Sequence, residues 1–151
     1  MRTLTMIGTA LLCTAAAVTP VATAAATSAP GSTAPTADTA LLDCQGHAQT
    51  RPDTYLLACG DGNNYITGLH WTTWSADSAV ATATDHANDC RPNCAAGRFH
   101  TYAVTVTLDE PRAQVGRPGA TSYGRVTLHF TGDRPDGIPA DVSAPLPTRP
   151  A

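Results

Sequence analysis

Phe99-His100-Thr101-Tyr102-Ala103-Val104-Thr105-Val106-Thr107-Leu108 is the stretch whose reading decides the fold class. Tyr102, Val104, Val106 and Leu108 fall on one side of an extended chain, and Thr101, Ala103, Thr105 and Thr107 on the other. A period of two is the signature of a strand with one face buried. The β-branched Val and Thr residues favour the same conformation, because their stiff side chains fit a pleated surface. Asp109-Glu110-Pro111 follows and predicts the end of this strand, since proline cannot donate to a ladder.

The pattern repeats on either side. In Tyr123–Thr131, Val126, Leu128 and Phe130 face in, while Arg125, Thr127 and His129 face out. Upstream, Tyr55–Cys59 reads as a short strand ended by the turn Gly60-Asp61-Gly62-Asn63-Asn64. Tyr65–Trp74 and Ala79–Thr84 read as two more strands, and Asn88–Gly97 as a cysteine-bearing turn. No segment carries a helical pattern. Strands separated by short turns, rich in Thr, predict an all-β fold: a small antiparallel β-sandwich or barrel-like domain with two disulfides.

The N-terminus determines where this domain works. Arg2 precedes an uncharged apolar run, and Val21-Ala22-Thr23-Ala24 supplies the small–x–small pattern of a signal-peptidase site. Residues 1–24 read as a cleavable signal peptide, with cleavage after Ala26 as the alternative. The run is too short and too rich in Ala and Thr to span roughly 20 residues of bilayer. Cys13 follows Leu12 inside that run, not a small residue after it, so it leaves with the signal and is no lipid site. Residues 25–40 are Ala, Thr, Ser and Pro with little else and read as a flexible linker. Residues 41–139 form the β domain, and residues 140–151 a loose Pro-rich tail. Leu146-Pro147-Thr148-Arg149-Pro150 lacks the glycine of a cell-wall sorting motif. The expected location is therefore secreted and extracellular, with no membrane anchor.

Nine arginines and no lysine stand against twelve acidic residues, a formal net charge of −3. A mildly acidic chain lacks the basic footprint that phosphate backbones require, so nucleic acid is not an expected partner. Without Cys13, four cysteines remain: Cys44, Cys59, Cys90 and Cys94. An even number in an exported chain reads as two disulfides, and three pairings are possible. The turn-forming Arg91-Pro92-Asn93 between Cys90 and Cys94 favours pairing those two, leaving Cys44 with Cys59. CxxxC is not a zinc-knuckle spacing, and exported thiols oxidise.

Few residues offer chemistry. Trp71 and Trp74 are three apart, which on a regular strand puts them on opposite faces. Trp71 shares its face with Leu69 and reads as core. Trp74 is then exposed, where it could stack on a sugar or a partner, unless the strand ends early and folds it back. Asp61-Gly62-Asn63 looks like a fragment of a calcium loop but has one carboxylate, and a hairpin turn explains it better. His47, His70, His86, His100 and His129 form no HxH or HxxxH pair, so no metal and no cofactor are expected. No Gly-x-Ser-x-Gly elbow is present, and Asp109, Glu110 and Asp61 are candidates for glycoside chemistry only because carboxylates are scarce. No catalytic residue is assigned. The candidate ligand-binding residues are Trp74, Asp61, Asn63, His70 and His100.

Several motifs together are distinctive: Cys59-Gly60-Asp61-Gly62-Asn63, Trp71-Thr72-Thr73-Trp74, and Asn88-Asp89-Cys90-Arg91-Pro92-Asn93-Cys94-Ala95-Ala96-Gly97. With Phe99-His100-Thr101-Tyr102 they resemble a family of small secreted actinobacterial proteins. The resemblance runs from about Cys44 to about Pro135. The chain departs from it at Ala81-Thr82-Ala83-Thr84-Asp85-His86, where that family often has glycines. The resemblance implies one exported domain with these disulfides and brings no catalytic residue with it.

The functional expectation is a non-catalytic extracellular domain that binds a partner protein or glycan, or serves a structural role. Two alternatives stand beside it. One is a secreted protease inhibitor presenting Arg91 in the Cys90–Cys94 ring, although Pro92 disfavours cleavage after Arg91. The other is a metal-dependent or glycan-acting enzyme.

Overall fold

The computed structural model describes residues 38–149. The expected signal peptide, nearly all of the expected linker and the last two residues of the chain lie outside these residues. Among the described residues there is no helix. Eight strands run in chain order: β1 (Leu41–Leu42), β2 (Ala48–Gln49), β3 (Thr54–Leu56), β4 (Asn64–Trp74), β5 (Ala79–Asn88), β6 (Phe99–Ala113), β7 (Thr121–Phe130) and β8 (Asp141–Pro145). β3 to β8 form one antiparallel meander in sequence order, and β1 pairs with β2 in a small second sheet. The large sheet curls into a half-barrel, which settles the choice between sandwich and barrel-like architecture.

Curling follows from side-chain size. β5 sits between β4 and β6 and turns Ala79, Ala81 and Ala83 to the inner face. Small residues there let larger ones on the flanking strands close over them, as small barrels require. Val104, Val106 and Leu108 of β6 and Val126, Leu128 and Phe130 of β7 fill the concavity, as their alternation predicted. Leu41 and Leu42, 1% and 0% exposed, help to fill the core from the small sheet. Tyr123 is wholly buried and donates from its hydroxyl to Ser75 O at 2.6 Å.

Three features depart from the sequence expectation. β4 carries register shifts between Thr67 and His70 and between Trp71 and Thr73, each inserting one extra residue. Gly68, with φ of 62°, supplies the left-handed turn that the first bulge needs. The second bulge rotates Trp74 back to the inner face. Trp71 and Trp74 therefore do not oppose each other: their rings meet edge-on at 4.6 Å, and both pack on the core.

Asp109-Glu110-Pro111 does not end β6, which runs on to Ala113. Beyond Leu108 the β5 neighbour has stopped, so β6 pairs there with β7 alone and the missing proline N–H costs no ladder bond on the free side. Glu110 takes a left-handed φ of 51°, and the β6–β7 register continues through it without a shift.

Residues 140–151 are not wholly a tail. Asp141–Pro145 pairs with β7 as β8, and Leu146 is 7% exposed within the core. Likewise Thr39 and Ala40, placed in the linker, are buried, and Ala40 exchanges backbone bonds with Thr121 and Tyr123. Composition alone misjudged both boundaries, because Pro and Ala report poor core-forming potential and not available partners.

The disulfides are Cys44–Cys59 and Cys90–Cys94. Formed disulfides fit an oxidising compartment. Among the described residues no helix is long and apolar enough to cross a membrane.

Candidate functional site

A half-barrel leaves two free edges, β3 and β8. Between them opens a cleft of about 430 Å³, lined by Tyr55, Leu57, Asn64, Leu128, Val142 and Leu146 among others. It has the size of small-molecule sites in proteins, and its lining is mainly aliphatic. A second cavity of about 270 Å³ adjoins it, sharing Asn64, Leu128 and Val142, and adds Asp85, Asn88, Phe130 and Ile138. The two cavities share a wall, which is apolar in the first and carries a polar patch in the second.

Asp85 is the unusual member. Its inward phase on β5 continues Ala79, Ala81 and Ala83, and it is 2% exposed. Oδ1 accepts from Asn64 Nδ2 at 2.6 Å, and the same Nδ2 also reaches His86 O at 3.1 Å. Burial pushes the carboxyl pKa up, against the opposing pull of the Asn64 hydrogen bond and the His86 charge. The sequence reading did not single out Asp85 or Asn64. The signal was present, as an acidic residue in phase with the inward alanines of a strand.

The predicted ligand residues are not brought together. Trp74 lies at the far end of β4, paired with Ala79, with its indole Nε1 donating to Thr39 O at 3.1 Å. It is half-buried, and Arg51 stands over its ring at 5.9 Å. His70 is exposed on the convex face, paired with Thr82. Asp61 turns its carboxylate to Asn63 N at 3.1 Å, and Asn63 side-chain and backbone hydrogen bonds lower its pKa, as in an ordinary Asx turn.

Asn63 and His100 do meet one network, at the opposite end of the sheet from Trp74. Asn63 Oδ1 accepts from Asn88 Nδ2 at 2.9 Å, and the next residue, Asp89, bonds His100 Nε2 at 3.0 Å. Asp89 also accepts from the Arg98 and Arg91 backbone N–H groups. Arg98 N–H, His100 and Arg91 N–H, in that order, bring its pKa down to about 2. Gly97 makes this packing possible, since a Cβ there would overlap Asn88 Oδ1 and stand 2.8 Å from Cys90 N. His100, Asp89, Arg91 and Asp136 border a polar pocket of about 460 Å³ beside the apolar cleft.

The groups weighed for catalysis are engaged elsewhere. Arg125 forks onto Asp109 at 2.8 and 3.1 Å and reaches Glu110 at 2.7 Å, while Arg112 holds the other Glu110 oxygen at 2.7 Å. Both carboxylates are thus held by guanidinium groups, and Glu110, Arg112 and Arg125 border an open pocket of about 440 Å³. His47–Asp43, His100–Asp89 and His129–Asp141 are exposed pairs. In the Cys90–Cys94 ring, the Cys90 and Arg91 N–H groups bond back to the Asn88 and Asp89 side chains.

Neither a protein-family model, nor a curated protein, nor a solved structure matches this chain.

Proposed function

We propose that this is an exported, non-catalytic binding domain whose ligand is a small apolar molecule held in the cleft between β3 and β8. One observation carries the reading: the concave face of the half-barrel is left partly unfilled along its open side, with aliphatic walls and a buried polar patch. A fold that needed only stability would close such a space, because unfilled apolar volume forfeits packing energy. Export is supported by the signal-like N-terminus and by the disulfides, which need an oxidising compartment. The absence of catalysis is supported by the arginine pairing of Asp109 and Glu110.

The test uses a neutral environment-sensitive fluorophore titrated into the purified chain, together with an Ala144→Trp variant. Ala144 lines the cleft mouth and is exposed, so a larger side chain there obstructs the entrance without overpacking the core. Saturable binding that is abolished by Ala144→Trp is the expected result. Binding that is unchanged in the variant would sink the reading. Export is checked separately, by N-terminal sequencing of protein recovered from the medium, with Ala25 as the expected first residue.

A further inference from the structure

The polar patch of the cleft constrains its ligand further, on the premise that the cleft is the binding site. Three polar side chains line the second cavity: Asn64, Asp85 and Asn88. Asn64 Nδ2 donates to Asp85 Oδ1 and to His86 O, which commits both of its hydrogens. Asn88 Nδ2 donates to Asn63 Oδ1 and to Cys94 O, both at 2.9 Å, and commits both of its own. Each amide nitrogen faces acceptors only, so neither amide can be turned round without losing bonds. What these side chains retain for a ligand is oxygen: Asp85 Oδ2 and the Asn64 carbonyl. Arginine, lysine and histidine are missing from the lining of this cavity among the described residues. The nearest titratable base, His86, turns its Nε2 to Thr67 Oγ1 at 2.8 Å rather than to Asp85, and a buried carboxylate without a directly bonded cation is a costly arrangement that a cationic partner relieves.

We infer that the cleft binds a chain-like apolar amine, its hydrocarbon along the aliphatic walls and its ammonium head on Asp85 beside Asn64. A charge-assisted N–H···O bond is stronger than a neutral one, so the amine outranks an alcohol of equal length. A carboxylic acid ranks last, because its carboxylate would meet another carboxylate and two committed amides.

Calorimetric titration of the whole chain at neutral pH with decylamine, decanol and decanoic acid, each below its aggregation threshold, tests this. The expected outcome is amine binding about ten-fold tighter than alcohol, with the acid weakest, and loss of the amine preference in Asp85→Asn. All three bind alike, or the acid binds best, if the head-group assignment is wrong; the cleft reading would survive that result. None of the three binds if the cleft reading itself fails, and this inference falls with it. The ranking is read on the unaltered chain, so it decides the matter whether or not Asp85→Asn folds.

Discussion

Tyr55→Phe removes one oxygen from the seam between the two sheets, and its consequences can be worked through in numbers. Tyr55 is 7% exposed, and its hydroxyl donates to Leu42 O at 2.8 Å, tying β3 to β1. Burial, and then the nearby charge of Asp43, push its pKa up to about 12 from 10.0. Below pH 10 the phenol keeps its proton in both the folded and the unfolded chain, so its contribution is whole. Between pH 10 and 12 the unfolded chain releases the proton while the folded chain holds it, and stability falls as pH rises. A displacement of two pH units corresponds to about 3 kcal/mol in full, of which about 1 kcal/mol is lost by pH 11.

At neutral pH Tyr55→Phe costs about 1–2 kcal/mol, the loss of one buried hydrogen bond and of a donor to Leu42 O. Urea unfolding followed by near-ultraviolet circular dichroism at pH 7, 9, 10 and 11 measures both effects. With a denaturant slope of about 1–3 kcal/mol per molar, this loss lowers the midpoint of the unaltered chain by about 0.3–1 M between pH 9 and 11. Tyr123 is also shifted upward by burial but is present in both proteins, so the difference between them isolates Tyr55. An alkaline slope equal in Tyr55→Phe and the unaltered chain would refute the argument.

Four further outcomes are expected. Removing Cys44–Cys59 costs about 3 kcal/mol and removing Cys90–Cys94 about 2, because the sequence separations are 15 and 4; chemical denaturation of the two double-serine variants should keep that order. Leu146→Ala costs about 2–3 kcal/mol in a thermal melt, whereas a residue in a loose tail would cost nothing measurable. Gly97→Ala destabilises by about 1–3 kcal/mol, since Asn88 must yield to the new methyl group, and hydrogen exchange at Cys90 and Arg91 should accelerate. Asp85→Asn keeps an acceptor for Asn64 and removes a buried charge. The upward-shifted carboxyl makes the unaltered chain lose stability as pH rises through its folded pKa, so the variant should be more stable at pH 7 and lack that slope.

How much was legible in the sequence varied with how local the deciding force was. The alternation in β6 and β7 was read correctly, because burial of one face imposes a period of two whatever lies opposite. The cysteine pairing was read correctly too, from the short span around Arg91-Pro92-Asn93. The bulges of β4 were not legible. An inserted residue shows only against the partner strand: a regular strand sets Trp71 and Trp74 on opposite faces, and Trp74 does fold back on the core, but through a bulge and not through an early strand end. The passage of β6 through Pro111 depends on where β5 stops, which nothing near Pro111 encodes. β8 and Leu146 were assigned to a tail because their own residues are weak strand formers; pairing with β7 holds them in place.

The candidate site divides in the same way. The ligand residues chosen from the sequence, Trp74, Asp61, Asn63, His70 and His100, were chosen one at a time for their chemistry, and the fold spreads them over both ends and the convex face. The cleft belongs to no single segment. It exists because a meander of six strands curls without closing, leaving β3 and β8 apart and Asp85 turned into the gap between them. By itself, then, the sequence determined that this is a β domain with two staples and one strongly alternating sheet, since those properties follow from local pattern and pairing chemistry. Only the tertiary structure decided which strands lie at the edges, which way β4 turns its tryptophans and where a cavity remains, because these depend on contacts between residues far apart in the chain.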